Sequence, residues 1–182
     1  KSITWSFVSS SNFGVRYSPY GFIFDVGGSS LFPKDEDFYY ILAFLCSKLF
    51  FIFLNILNPT MNFQVGNIGL LPIIKTKDKI KKYKIEVLAK ECIEISKKNW
   101  DSFEMSWDFT IHPLLKYKNE TNLIKNAYNN WESTCNSQFN KLKNNEEEIN
   151  KLFINIYGLE KYIDYKLKEE DITIKKANLN RE

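Results

Sequence analysis

The sequence predicts an α+β fold that is mainly α, with a small strand-rich part followed by a long antiparallel helical spacer. Three observations predict it. Residues 1–32 carry short aromatic and β-branched runs separated by turn residues, which is typical of strands. Residues 38–57 are nearly all apolar. Two long segments with helical periodicity then follow between residues 76 and 157. We therefore place a boundary between a first region, 1–74, and a second region, 75–182.

Short strands are expected at residues 3–8, 15–17 and 22–26, with a turn at residues 9–12. In the third of these, Phe22, Phe24 and Val26 alternate with Ile23 and Asp25, the period-two pattern of a strand with one face in a core. The aromatic side chains of this part are assigned to the core in preference to a platform on which bases stack. They are Tyr17, Tyr20, Phe22 and Phe24.

Residues 38–57 are long enough to be weighed as a membrane span. Lys48 stands at the centre of this apolar run, where a charge is costly in a bilayer. We therefore interpret the run as one buried core helix, packed against the small sheet. The acidic stretch just before it, residues 35–37, is expected to cap that helix, since an Asp at the N-cap accepts hydrogen bonds from free backbone N–H groups.

A helix is expected from Thr76 or Asp78 to about Trp100. Its apolar residues fall on one face at helical offsets: Ile80, Tyr83, Val87, Leu88, Cys92 and Ile95. Residues 100–115 have no clean period and are interpreted as a packed connector.

A second helix is expected at residues 122–157. It carries an apolar seam in steps of four and three: Ile124, Tyr128, Trp131, Cys135, Gln138, Leu142, Asn145, Ile149, Leu152 and Ile156. Gly158 can adopt the left-handed conformation that ends such helices, with Leu159 placed to close over the last turn. Antiparallel pairing of the two long helices is the economical arrangement.

Composition excludes several functional classes. The three cysteines are widely spaced without a CxxC pair, so we interpret them as buried thiols in a reducing cytosol. The single histidine, His112, excludes a metal site with two histidines and is assigned to the connector. The glycines match neither a dinucleotide fingerprint nor a P-loop. We therefore predict no catalytic, cofactor-binding or metal site in these residues.

Charge is distributed unevenly along the chain. Residues 1–74 are neutral overall, whereas residues 75–98 hold nine lysines and four acidic residues, a local charge of +5. A lysine run there could lie along a DNA backbone or form a solvated helix start: Lys75, Lys77, Lys79, Lys81, Lys82 and Lys84. Arg16 is the side chain of the strand-rich part that could read guanine, with a structural role in the sheet as the alternative.

Several long phrases of the sequence resemble one family. They include residues 16–32 (RYSPYGFIFDVGGSSLF), 58–72 (NPTMNFQVGNIGLLP) and 91–109 (ECIEISKKNWDSFEMSWDF). The chain resembles the part that follows the catalytic domain in adenine-specific DNA methyltransferases of the BREX phage-defence type and in fused restriction–modification enzymes. In that family a target-recognition region leads into a helical spacer. Lys1 in place of an initiating methionine fits an internal boundary.

The resemblance implies S-adenosylmethionine as cofactor of the parent enzyme and an Asn/Asp-Pro-Pro-Tyr/Phe motif around the flipped adenine. Residues 58–61, Asn-Pro-Thr-Met, lack the second Pro and the aromatic residue, so we interpret them as a turn. The implied function is that of a non-catalytic, cytoplasmic fragment that recognises and positions double-stranded DNA. Its other partners would be the catalytic domain of the same chain and other defence-system subunits. The alternative is a structural protein–protein interaction module without DNA contact.

Overall fold

The computed structural model describes residues 1–9, 13–119 and 123–177. The chain forms two compact units. Unit 1 comprises Lys1–Lys90 and Glu147–Lys166, and unit 2 comprises Glu91–Glu146 and Leu167–Glu182. The predicted α+β, mainly α fold is confirmed. The boundary between residues 74 and 75 concerns function and stays a prediction.

Unit 1 begins with a three-stranded antiparallel sheet. Strands β1 (Ser2–Ser6), β2 (Val15–Ser18) and β3 (Gly28–Leu31) lie in the order β2-β1-β3. Successive side chains of a strand point to opposite faces, and Ile3 and Trp5 of the central strand are buried. The first two strands agree with the prediction. The turn expected at residues 9–12 falls largely on residues 10–12, which lie outside the described residues.

The strand predicted at residues 22–26 is wrong. These residues form an irregular loop, and the third strand starts only at Gly28. The backbone reverses at Gly21, whose φ of 98° is open to glycine at little cost. Asp25 then accepts a hydrogen bond from the backbone N–H of Gly28 through Oδ1 (2.9 Å). Two turn-forming contacts within eight residues leave no room for a strand, although the side chains alternate.

The apolar run that follows is buried over most of its length, with Ile56 and Leu57 at its end exposed, and it forms two helices instead of the predicted one. Helix α1 (Phe38–Leu45) and helix α2 (Lys48–Leu57) are separated by a break at Cys46 and Ser47. The Ser47 hydroxyl donates to the carbonyl of Phe44 (2.7 Å) and accepts from the N–H of Phe50 (3.2 Å). Serine in this position ends one helix and caps the next, which explains the break.

Lys48 is accommodated at the start of α2. Its backbone N–H donates to Oδ1 of Asn150 (2.9 Å), and its ammonium group donates to the carbonyls of Asp164 (2.9 Å) and Lys166 (3.2 Å). The apolar residues around it pack inward, with Phe44 and Phe50 almost fully buried. Packing against the sheet is confirmed by the ring of Phe38, which meets that of Tyr17 edge-on at 5.7 Å.

Among the described residues, no single helix combines the length and apolar composition needed to cross a membrane. Residues Asp35–Leu45 and Lys48–Leu57 reach that length and composition only together, as a pair bent by 73°.

The predicted side-chain cap by the acidic stretch is wrong. Asp35–Asp37 form a 3-10 turn that leads directly into α1, and Asp37 makes no capping hydrogen bond. Its backbone angles (φ −115°, ψ −3°) are helical, whereas a side-chain N-cap requires an extended conformation. The Asp37 carboxylate binds two lysines instead.

Helix α3 (Val65–Gly69) is short, and helix α4 (Lys79–Trp100) is the predicted first long helix. Asp78 caps α4 by accepting from the N–H groups of Ile80 (2.9 Å) and Lys81 (3.1 Å). The predicted packing face is wrong at its start, since Ile80 and Tyr83 are largely exposed.

The face of α4 that packs in unit 1 runs through Lys82, Ile85 and Ala89. Ile85 and Ala89 are buried, and Lys82 reaches the buried Asp37. Because the salt bridge turns Lys82 inward, Ile80 and Tyr83 are turned towards solvent. Lysines and apolar residues are intermixed in the first turns of α4, so two of its faces are similarly apolar. Asp37, which lies outside the helix, determines which of them packs inward.

Helix α6 (Ile124–Ile156) matches the second predicted long helix, apart from its expected start at residue 122, which lies outside the described residues. The predicted seam is confirmed at Leu142, Asn145 and Ile149, which are buried, and is wrong at Ile124, which is exposed. The C-terminal prediction is confirmed. Gly158 has φ 68°, and the N–H of Leu159 donates to the carbonyl of Ile154 (3.0 Å), as in a Schellman motif.

The long helices run antiparallel within each unit. In unit 1, Lys81 donates to Oδ1 of Asn155 (2.9 Å) and Lys84 pairs with Glu148. In unit 2, Nδ2 of Asn145 donates to the carboxylate of Glu91 (2.9 Å), and Ile95, later in α4, shares a buried cluster with Leu142, which comes earlier in α6. The antiparallel arrangement expected from the sequence is therefore present in both units.

Unit 2 has a small core and an open connector. Its buried cluster contains Ile95, Phe139, Leu142, Ile172 and Ile174. The connector includes the short helix α5 (Pro113–Lys116) and is less packed than predicted, since its aromatic residues are partly or largely exposed. Trp107 is 93% exposed and Trp100 is 52% exposed.

Candidate nucleic-acid interface

The lysine run begins beside the acidic turn in front of α1. Lys75 and Lys82 both bind the carboxylate of Asp37, at 2.6 Å and 3.0 Å. The hydrogen bonds from Lys75, foremost, and from Lys82 hold the pKa of Asp37 below its usual value. The hydrogen bond between Lys82 and Asp37 also raises the pKa of Lys82. Two of the six predicted lysines therefore neutralise a buried carboxylate of unit 1.

Two more lysines of the run are engaged with helix α6. Lys81 donates to Asn155, and Lys84 pairs with Glu148. Lys84 keeps about half of its side chain exposed (51%). A surface ion pair of this kind contributes only about 0–1 kcal/mol, so a phosphate group could compete with Glu148 for this lysine.

Lys77 and Lys79 are the most available members of the run. Both are exposed, and within the described part of the chain no acidic side chain forms a salt bridge with either. The carboxylate of Asp78, which lies between them in sequence, points at the N-terminus of α4. The structure thus reduces the predicted six-lysine patch to two free lysines, with Lys75 and Lys84 at its exposed edge.

The small sheet has a polar face that the sequence analysis missed; Arg16 on it is exposed, Thr4 and Ser30 are partly buried, and Ser2 is buried. Pairing places Ser2 opposite Ser18, and Thr4 between Arg16 and Ser30. Paired residues point to the same side of a sheet, so these hydroxyls and Arg16 share one face while Ile3 and Trp5 occupy the other. Alternation of Ser2, Thr4 and Ser6 with apolar residues in β1 was the signal that could have revealed it.

Arg16 lies on the edge strand β2 and is exposed. Its Nη2 donates to the hydroxyl of Ser6 (2.9 Å), which orients the guanidinium across the polar face. This contact agrees with the structural role considered for Arg16. Since a guanidinium carries five N–H donors, the single contact leaves donors for a phosphate or a base edge.

The loop before β3 forms a wall beside this polar face. Together, Phe22, Ile23, Phe24 and Asp25 line a shallow hollow whose floor is built from Ser2, Thr4, Ser18, Gly28 and Ser30. The prediction that Tyr20, Phe22 and Phe24 belong to the core is wrong, because each is more than half exposed. Tyr17 is the exception and packs on Phe38.

Residues 58–61 form the turn that the sequence predicted. Asn58 ends α2 and is buried; its Nδ2 donates to the carbonyl of Asn62 (2.6 Å) and its Oδ1 accepts from the Thr60 hydroxyl (2.6 Å). Both functional groups of the Asn58 side chain are thus occupied within the turn. They are not presented to a base.

Other chemistry is sparse in the described parts of the chain. No group of three or more His, Cys, Asp or Glu side chains there could hold a metal ion. His112 caps α5 by accepting from the N–H of Leu114 through Nδ1 (3.2 Å), in line with a connector role. The cysteines form no disulfide. The expectation that all three are buried is wrong, since Cys46 is exposed and Cys92 and Cys135 are only partly buried.

Comparison with known proteins identifies the class of protein that this chain is similar to. Two curated relatives match this chain, and both are adenine-specific methyltransferases, so the resemblance predicted from the sequence is confirmed. No family model matches.

One relative is the adenine-specific methyltransferase PglX of Lacticaseibacillus casei (strain Zhang), 38% identical over 188 positions that cover all of this chain. The other is the adenine-specific methyltransferase BrxX of Escherichia coli O9:H4 (strain HS), 38% identical over 161 positions that cover 85% of this chain. The chain spans only 15% and 12% of the length of these two proteins.

Proposed function

We propose that this chain is a non-catalytic part of a site-specific adenine-N6 DNA methyltransferase that helps to recognise and position the target DNA. The polar face of the small sheet carries this proposal. It carries an oriented arginine, a group that proteins use to contact phosphates and base edges. The hydroxyls of Thr4 and Ser30 on the same face donate to the carbonyls of Ser29 (3.0 Å) and Gly28 (3.4 Å) and can serve as acceptors. Helices α4 and α6 would serve as the spacer that holds this face at a fixed distance from the catalytic domain.

Different segments of the longer enzyme would carry out different functions. S-adenosylmethionine and the adenine would bind in the catalytic domain of the longer protein, in the cytoplasm. This chain would supply contacts to double-stranded DNA and docking surfaces for that domain or for other defence subunits. We expect the 182-residue chain alone to bind no S-adenosylmethionine, and isothermal titration that detects micromolar cofactor binding would contradict the division.

Binding to DNA by this chain alone should be weak. Four of the six lysines between residues 75 and 84 make intramolecular contacts. Only Lys77 and Lys79 of this run would be free to bind phosphates. Non-specific affinities lie around 10⁻⁴–10⁻⁶ M, and we expect the weak end of that range. Binding should strengthen steeply as salt is lowered, since it depends on counterion release.

Fluorescence anisotropy with a labelled duplex tests the proposal. Replacing Lys77 and Lys79 with Ala should reduce the slope of log K against log salt by about 2, close to 0.9 for each lost phosphate contact. Arg16→Ala should weaken binding further. Lys161→Ala with Lys175→Ala removes two exposed lysines elsewhere and is the matched control. Equal losses in the control would place the DNA contacts outside the proposed face.

One observation favours the alternative, a structural module without DNA contact. The acidic turn Asp35–Asp37 binds Lys75 and Lys82, and also Lys1 through Asp35 (2.7 Å). Charge here alternates in sign between the acidic turn and the lysines that bind it. If the chain shows no DNA binding even at low salt, this alternative replaces the proposal.

A further inference from the structure

The loop beside the polar face exposes several large apolar side chains in succession. Ile23 is 98% exposed, and Phe22 and Phe24 are 60% and 58% exposed. Tyr20 and Val26 at its two ends are also exposed. Contiguous apolar surface of this kind marks a contact site, so the question is what covers the loop.

The loop is braced, which distinguishes it from a loose connection. The ring of Phe24 packs edge-on against that of Phe32 at 5.0 Å. Oδ1 of Asp25 accepts a hydrogen bond from the N–H of Gly28. This bond fixes the end of the loop to the start of β3. Ile23 therefore stands at the tip of a supported projection. A rigid tip loses little conformational entropy when it enters a partner.

The surroundings of the projection favour nucleic acid over protein. Its base is a floor of Ser and Thr hydroxyls with Arg16 nearby, and not an apolar face that a protein core would cover. The only carboxylate of the loop, that of Asp25, is exposed at the edge of the hollow and accepts a hydrogen bond from the backbone N–H of Gly28. Many DNA-binding proteins pair polar contacts to the backbone with apolar wedges of Phe, Ile or Leu inserted between base steps.

We propose that Phe22, Ile23 and Phe24 form a wedge that inserts between adjacent base pairs of duplex DNA lying on the polar face. The inference rests on the proposed function, since the free N–H groups of Arg16 would hold the sugar–phosphate backbone beside the wedge. Ile23 enters the stack first, and the rings of Phe22 and Phe24 cover the unstacked base edges. Local unstacking would prepare the duplex for extrusion of a base elsewhere in the enzyme.

The test uses the 182-residue chain and a duplex with 2-aminopurine at successive positions, at low salt and saturating protein. Unstacking raises 2-aminopurine fluorescence, so the unmodified chain should increase it. Phe22→Ser with Ile23→Ser and Phe24→Ser should abolish the increase and weaken binding on the order of tenfold, as for loss of a stacked base. Ile23→Ser alone removes no packing contact and should at least halve the increase.

Two controls separate the wedge from its surroundings. Ile56→Ser with Leu70→Ser changes two residues that are each 74% exposed in α2 and just after α3, and should leave both signals unchanged. Arg16→Ala should weaken binding while the increase returns at saturating protein. Circular dichroism confirms that each variant is folded.

Three outcomes would overturn the proposal. DNA binding without any fluorescence increase, with the triple variant binding normally, refutes the wedge and leaves the proposed function standing. Absence of DNA binding by the unmodified chain refutes both. If the unmodified chain self-associates and the triple variant is monomeric by light scattering, the loop is a protein-docking surface instead.

Discussion

Unit 1 and unit 2 each shield an acidic side chain from solvent in a different way, with Asp37 buried and Glu146 partly buried. In unit 1, Asp37 is buried against two lysines, which lower its pKa. In unit 2, loss of solvent around Glu146 raises its pKa to about 7, and the contact with Thr173 only partly offsets this. A paired carboxylate stabilises a fold in its charged form, whereas an unpaired buried one stabilises it in its neutral form. The two units should therefore respond to pH in opposite directions.

The cores differ as well. Unit 1 is built on aromatic residues, with Phe153 of α6 in contact with Tyr40 (5.2 Å) and Phe44 (5.4 Å) between ring centres. The buried cluster of unit 2 contains four aliphatic residues and one phenylalanine. Unit 1 thus carries both the larger apolar core and the candidate DNA-contacting residues, which suits a rigid platform for recognition.

The largest expected effect comes from opening the aromatic core of unit 1. Phe153→Ala should lower the free energy of unfolding by about 3–5 kcal/mol, because Phe153 is fully buried. Phe22→Ala is the matched control, since the same substitution at an exposed position should change stability by less than about 0.5 kcal/mol. Urea unfolding followed by circular dichroism measures both. Similar losses for the two variants would show that the loop is buried in solution.

Glu146 sharpens the pH comparison. Its pKa is about 4.5 when unfolded and about 7 when folded, so the folded state binds the extra proton between these values. Stability from this group is complete below pH 4.5 and falls as pH rises towards 7. Glu146→Gln keeps an acceptor for the Thr173 hydroxyl and should stabilise unit 2 at pH 8 by roughly 2 kcal/mol, with no gain at pH 4.

Hydrogen exchange resolved by peptide measures this effect within unit 2. Thr173→Val is the companion variant, because it removes the hydroxyl that donates to Glu146 (3.0 Å) without changing charge. Equal stabilisation by Glu146→Gln at pH 4 and pH 8 would mean that the carboxyl group is not protonated in the folded state near neutral pH.

Asp37 should show the opposite dependence with a smaller amplitude. Its folded pKa is lowered from 3.8, so its contribution is present above pH 4 and is lost as pH falls further. Asp37→Asn should cost unit 1 about 1 kcal/mol at pH 7, since both lysine partners retain contact with water and screening reduces the gain. Exchange of α1 amides at pH 7 and pH 3 should show this loss only at the higher pH.

The smallest effect is expected at the projecting loop. Ile23→Ser should leave stability unchanged within about 0.5 kcal/mol, because the side chain is 98% exposed. Unchanged thermal unfolding is the measurement. A clear loss of stability would mean that Ile23 packs on another part of the chain, and it would remove the basis for the wedge.

The sequence predicted those features that local chemistry decides. Asp78 before α4 and Gly158 after α6 satisfy backbone groups at helix ends, and their neighbours in sequence suffice to identify them. The antiparallel helices and the first two strands were equally accessible. Features decided by distant partners were not, and the packing face of α4 is the example, because Lys82 turns inward only where Asp37 is present.

The candidate site shows the same division. Alternation predicted that Phe22 and Phe24 are buried, yet Gly21 and the contact between Asp25 and Gly28 divert the chain into a loop. Ser47 broke the apolar run because its hydroxyl serves both neighbouring helices. Lysine counts in the sequence could not show that Lys75, Lys81, Lys82 and Lys84 are engaged within unit 1.

The contacts of Lys48 have a consequence for the order of folding. They join the start of α2 to Asn150, Asp164 and Lys166, more than 100 residues later in the chain. Contacts between residues so distant in sequence form slowly, because a long loop must close first. During synthesis, the sheet and the apolar helices leave the ribosome well before the segment that completes their core. Unit 1 therefore cannot finish folding until unit 2's helical residues have also been made, and its exposed apolar helices would need protection in the interval.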